Sequence, residues 1–191
     1  MRLFFLLLVP LALVAVGCGS KKSSEPTIEV LPNATTSDEW ATRIVGRLMR
    51  PLNRDLETLG TLNNPQTRAY IEQGNPDTLA VLDRHITDLG KCSDRLTTIG
   101  PPPQRAPDKR KLNRVDAALH RTCDHYGEVA ETLRDAVKLL SSGRTDVVER
   151  GQKKLRDVAQ EAAVAAGAYD EAVRIAQTSA AFRRNGLKPP A

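Results

Sequence analysis

Four residues carry the chemistry that most constrains this 191-residue chain: His85, Cys92, His120 and Cys123. Two thiols can be oxidised to a disulfide. Two thiolates and two imidazoles can instead hold zinc or copper where they converge. Cys92 and Cys123 fall on consecutive helical segments. His120 and Cys123 share one helix face, and His85 lies two turns before Cys92. His125 is turned by about 140° from His120 around a helix axis, so the two do not readily face one ion. Outside the cytoplasm the disulfide is the expectation, and a metal set of His85, Cys92, His120 and Cys123 is the alternative. No CxxCH haem-attachment motif occurs. In a level hairpin the turn would lie midway between the cysteines, beside Pro107, yet the turn signal Gly100-Pro101-Pro102-Pro103 comes earlier. A disulfide therefore requires the helix carrying Cys123 to overshoot its predecessor by about two turns, with the proline run extended beside it.

A third cysteine, Cys18, closes a different pattern. Arg2 precedes an apolar run over residues 3–16, which ends in Val14-Ala15-Val16-Gly17-Cys18-Gly19-Ser20. The run is too short to cross a bilayer comfortably. It resembles the lipobox of bacterial lipoproteins, with Ala15 where leucine is usual. The resemblance implies removal of residues 1–17 as a signal peptide and attachment of diacylglycerol, with palmitate-type chains, at Cys18. The protein would then be held on the extracytoplasmic face of the cell membrane. Acyl chains contribute about 0.8 kcal/mol per buried CH₂, and two or more give stable anchoring. The arginine- and alanine-rich remainder resembles the small helical lipoproteins of actinobacteria.

Arg43, Arg47, Arg50 and Arg54 fall within about 60° of one another on a regular helix, at 100° per residue. Such a stripe suits an anionic surface. The expected reading is nonetheless a solvated helix back, with some arginines paired to Glu39 or Asp55, since charged helix faces are usually only solvated. The formal charge of +5 comes from 28 basic and 23 acidic residues of interspersed sign. That spread, with only 4% aromatics, argues against nucleic-acid binding, which uses a basic patch and stacking platforms. No GxSxG elbow, HExxH pair, phosphate-binding glycine loop or Glu-x-x-His motif is present, so the sequence points to no enzyme chemistry and no cofactor.

Helices must position these residues. From Leu112 to Leu140, apolar or small residues recur in steps of three and four, through Val115, Leu119, Thr122, Tyr126, Val129, Leu133 and Ala136. This spacing predicts one long amphipathic helix. Ser37 is a candidate N-cap for a first helix carrying Trp40, Ile44, Leu48, Leu52 and Leu56, and Pro51 predicts a kink within it. Asn64-Pro65 opens a short helix, and Asn75-Pro76 opens another carrying Leu79, Leu82, Ile86, Leu89 and Leu96. A last helix, ending near Asn185-Gly186, presents Val148, Gly151, Leu155, Val158, Ala162, Ala165, Tyr169, Ala172 and Ala176. Half of these are small, which predicts close approach to its neighbours and room for a groove.

The expected fold is all-α: an antiparallel four-helix bundle over residues 37–185, with one additional short helix and a kinked first helix. Residues 18–36 are expected to form a lipidated flexible tether, and residues 186–191 a tail. The corresponding functional expectation is a non-enzymatic adaptor or envelope-sensor module that binds another envelope protein. The alternative is a carrier of metal or a small apolar ligand between its helices. Replacing the anchoring thiol, Cys18→Ala, is expected to move the protein from the membrane pellet to the soluble fraction. Retention of the variant in the pellet at high salt would refute the anchor.

Overall fold

The computed structural model describes residues 31–187. Cys18, the signal peptide, most of the expected tether and residues 188–191 lie outside them. The described residues are helical throughout their ordered elements: α1 (Ser37–Arg43), a π-helical stretch (Ile44–Met49), α2 (Arg50–Gly60), a 3₁₀ turn (Thr61–Asn63), α3 (Pro65–Glu72), α4 (Pro76–Gly90), α5 (Cys92–Ile99), α6 (Lys109–Leu140), α7 (Thr145–Gln177) and α8 (Ala180–Arg184). None of these helices is long and apolar enough to cross a membrane.

The longest pair, α6 and α7, packs antiparallel along its length. Arg121 meets Glu171 at 3.0 Å, and Lys154 meets Asp135 at 2.7 Å. Near the turn, Gly151 lies against the end of α6. A Cβ at Gly151 would come within 3.0 Å of both the Leu140 backbone nitrogen and Leu140 Cγ, so any larger residue would have to push the end of α6 back by a few tenths of an ångström. Every stripe residue of α6 is buried, and so are Ala118, Cys123, Ala130 and Val137. The covered surface is wider than one seam because α6 has partners on two sides: α7 on one, α4 and α5 on the other.

The first helical segment changes its hydrogen-bond pattern just ahead of Pro51. The preceding turn is π-helical, and the Arg50 N–H reaches back to the Val45 carbonyl. A regular helix turns every 3.6 residues, so apolar residues spaced by four drift around it by about 40° per step. The wider π turn takes up that drift. Trp40, Ile44, Leu48 and Leu52 consequently stay on one side, and all four are fully buried. The proline, which has no N–H to donate, follows directly on the π turn, where the hydrogen-bond ladder is already widened.

Four further boundaries differ from expectation. Thr36, not Ser37, caps α1; its side chain accepts from the Glu39 N–H, while Glu39 accepts from the Thr35 N–H. This is a reciprocal cap one residue early, and it releases Ser37 for a tertiary bond. Residues 31–36, expected as tether, pack on the helices: Ala34 is buried, and the Leu31 N–H donates to the Thr98 carbonyl. The expected helix from Pro76 through Leu96 is interrupted at Lys91, directly after Gly90, the weakest helix former in its interior. The last helix stops at Gln177. The Thr178 hydroxyl donates to the Ile175 carbonyl, Ser179 is extended, and α8 begins anew; short hydroxyl side chains compete with the helical ladder in this way. The turn lets Phe182 pack edge-on against Trp40, with ring centroids 5.8 Å apart. It also places Arg184 across from Asp38.

Cys92 and Cys123 form a disulfide between α5 and α6. Cys92 lies seven residues before the end of α5, and Cys123 fourteen residues after the start of α6, so α6 overshoots α5 by about two turns. The connector that absorbs the difference turns at Gly100, whose φ of +79° suits glycine. Its carbonyl accepts the Trp40 indole N–H at 3.0 Å, and Pro102 and Pro103 are buried beyond it. The bond closes a loop with a sequence separation of 31 residues. Cys92→Ser with Cys123→Ser is therefore expected to lower unfolding stability by about 3–4 kcal/mol, measured as a fall in the urea midpoint.

Candidate functional site

An apolar groove of about 190 Å³ runs between α2, α4, α6 and α7. Leu56 and Leu59 of α2, Leu89 of α4, and Val129 and Leu133 of α6 form one part of its lining. Val158, Ala159 and Ala162 of α7 form the facing wall. Beside Leu155 and Val158, α7 contributes Ala159 and Ala162 to the lining, and these short side chains leave unfilled volume between backbones held apart by longer ones. An apolar cavity of about 150 Å³ can stay dry and accept a benzene-sized guest. This groove is on that scale, and the exposed Arg68 and Ala159 are part of its lining.

Two polar groups reach the lining. Tyr126 of α6 is buried, and its burial, with Tyr169 and Asp170 adding to the effect, pushes its hydroxyl up to about 12. At neutral pH it is an uncharged phenol able to donate one hydrogen bond. Arg68 of α3 stands at the mouth, its Nε donating to the Leu62 carbonyl at 2.9 Å. The mouth continues into a cleft of about 270 Å³ that shares Arg68, Leu155 and Ala159 and adds Glu72, Gln152 and Arg156. Gln152 donates to Glu72 at 3.1 Å.

The histidines and cysteines do not assemble a metal centre. The two sulfurs are bonded to one another. His85 Nδ1 lies 2.9 Å from Asp55 Oδ1, while His120 Nε2 lies 3.9 Å from Asp116 on its own helix. Among the described residues, no three or more His, Cys, Asp or Glu side chains group to hold an ion. The alternative set of His85, Cys92, His120 and Cys123 is corrected accordingly: oxidation removes both thiolates, and each imidazole has its own carboxylate.

Asp55 also departs from expectation. In place of the arginines of its own helix, it contacts His85 and, at 3.3 Å, Arg95, and it is only 2% exposed. It ties α2 to α4 and α5. The signal was in the sequence, since Asp55 stands three residues after Leu52 and four before Leu59, on the buried stripe. A buried carboxylate persists only with such partners. The arginine stripe divides. Arg43 is paired with Glu39 and donates to the Pro32 carbonyl, whereas Arg47, Arg50 and Arg54 are exposed. The π stretch begins directly after Arg43 and contains Arg47, and its wider turn rotates Arg50 and Arg54 around the axis relative to Arg43.

At the opposite end from the groove, Asp108 gathers three segments. Ser37 Oγ donates to its carboxylate at 2.7 Å, and Ser179 Oγ donates at 2.9 Å. Sequence reading missed this link, because its three members are far apart in the chain and each resembles an ordinary helix-end residue.

No protein-family model, curated protein or solved structure matches this chain.

The buried phenols give a pH signature. Burial, which disfavours the phenolate, pushes Tyr126 and Tyr169 up to about 12, against about 10 in an unfolded chain. The unfolded chain therefore loses these protons first. The stability contributed by the neutral phenols is complete below pH about 10 and is lost as pH rises towards about 12. Tyr126→Phe is expected to flatten the alkaline limb of a plot of urea midpoint against pH. An unchanged limb would show that Tyr126 ionises as freely in the folded protein as in the unfolded chain.

Proposed function

We propose that this chain is a non-enzymatic, extracytoplasmic binding module held at the cell membrane through Cys18, and that it carries a small apolar ligand in the groove between α2, α4, α6 and α7. The observation that carries the reading is the groove itself: an unfilled, leucine- and alanine-lined space at the meeting of four helices. The favourable term for an apolar guest is burial, about 25 cal/mol per Å² of apolar surface removed from water. The lining offers one neutral hydroxyl and one rim guanidinium, which can orient a ligand but form no nucleophile–base pair. The scaffold on this reading is an antiparallel four-helix bundle. Its rods are α1 with α2, α4 with α5, α6, and α7, while α3 is the additional short helix covering the groove mouth. The lipobox resemblance supports the location, and the adaptor or sensor role becomes the carrier's output, a change of partner binding when the groove fills.

A fluorescent probe tests the groove. N-phenyl-1-naphthylamine, a neutral apolar fluorophore, is expected to brighten saturably at one site per chain. Ala159→Phe, which intrudes from an exposed α7 position, is expected to weaken that binding by about tenfold or more while leaving the helical circular-dichroism signal unchanged. Absence of saturable binding, or binding indifferent to Ala159→Phe, overturns the groove as the site.

A further inference from the structure

The charge at the groove mouth narrows the ligand class. We infer that the groove takes a single-chain amphiphile with a carboxylate head: the chain lies among Leu59, Val129 and Leu133, and the head sits at Arg68 with Arg156 alongside. The inference rests on the carrier reading of the same groove.

Three observations carry it. First, the apolar groove and the polar cleft adjoin, since Arg68, Leu155 and Ala159 line both. Arg68 itself lines the apolar groove, so a ligand there lies within reach of the guanidinium. Second, Arg68 is held in place by a bond that leaves its anion-binding edge open. Nε is committed to the Leu62 carbonyl, which fixes the plane of the group and leaves the paired terminal nitrogens for a carboxylate fork. Third, the local charge is unbalanced. Among the described residues neither Arg68 nor Arg156 takes part in an ion pair. The nearby carboxylate, Glu72, accepts from the neutral Gln152. Two cations face one acid across this cleft, so one anionic head completes it. A neutral ligand would leave that excess in place, and a cationic head would add to it. The lining offers no second apolar channel, which argues for one chain over two.

Displacement of N-phenyl-1-naphthylamine from the full chain, carrying Cys18→Ala and with its disulfide intact, reads the head-group preference. Decanoate, decanol and decylamine share a chain and differ in head. Decanoate is expected to compete at least about tenfold more tightly than decanol, with decylamine weakest. Arg68→Gln, at an exposed position where folding should be unaffected, is expected to bring decanoate to the level of decanol and leave decanol unchanged. Arg156→Gln is expected to act in the same direction but less. Equal competition by decanoate and decanol overturns this inference and leaves the carrier reading standing. A decanoate preference that survives the combined Arg68→Gln and Arg156→Gln variant also overturns it. If the fluorophore does not bind, calorimetry with decanoate decides: binding lost in Arg68→Gln supports the inference, and no binding at all overturns both readings.

Discussion

Hiding the apolar flank of α6 is the requirement that every other segment answers. Thirteen of its residues are buried, too many for one facing helix to cover. One side is met by α7, which approaches closely at Gly151. The other is met by α4 and α5, pinned there by the Cys92–Cys123 bond. The first segment and α8 then close the end where α6 begins, through Trp40, Phe182 and the Asp108 cluster. Burial supplies the driving force, and the covalent tie and the hydroxyl–carboxylate bonds select one register among several that the stripes alone would permit.

That division explains what was legible in the sequence. The all-helical class, the long central stripe and the offset of the cysteine pair follow from spacing and chain geometry, and the structure carries them. The breaks were less legible. Gly90–Lys91 and Thr178–Ser179 interrupt helices whose hydrophobic period continues across them. A periodic signal does not register a change of direction when the burial pattern resumes in phase. The π turn is the converse case. The run of fours from Trp40 to Leu56 was visible, but it reads as an ordinary stripe unless the accumulated drift is counted against the 3.6-residue turn.

The groove was half legible. Small residues on the last helix announced a close approach, which Gly151 achieves. The same alanines, further along, leave space when their partners are leucines held at a distance by α2 and α4. Whether a small residue yields contact or a gap depends on the separation of the backbones, a tertiary quantity no local pattern encodes. Asp55 shows the same limit from the polar side. Its place on the buried stripe marks it as enclosed, but its partners, thirty and forty positions away, are fixed only by how the helices cross.

Through Asp108, the start of α1 and the α7–α8 turn are drawn to the pole where α6 begins. Leu31, bonded to Thr98, and Leu187, bonded to Phe182, both leave the helices from that pole. Arg68 and Leu140 stand near the far one, roughly 45 Å along α6 at 1.5 Å per residue. On the anchoring and carrier reading proposed above, a chain held by either of those ends would stand as a stalk with the Arg68 end outermost.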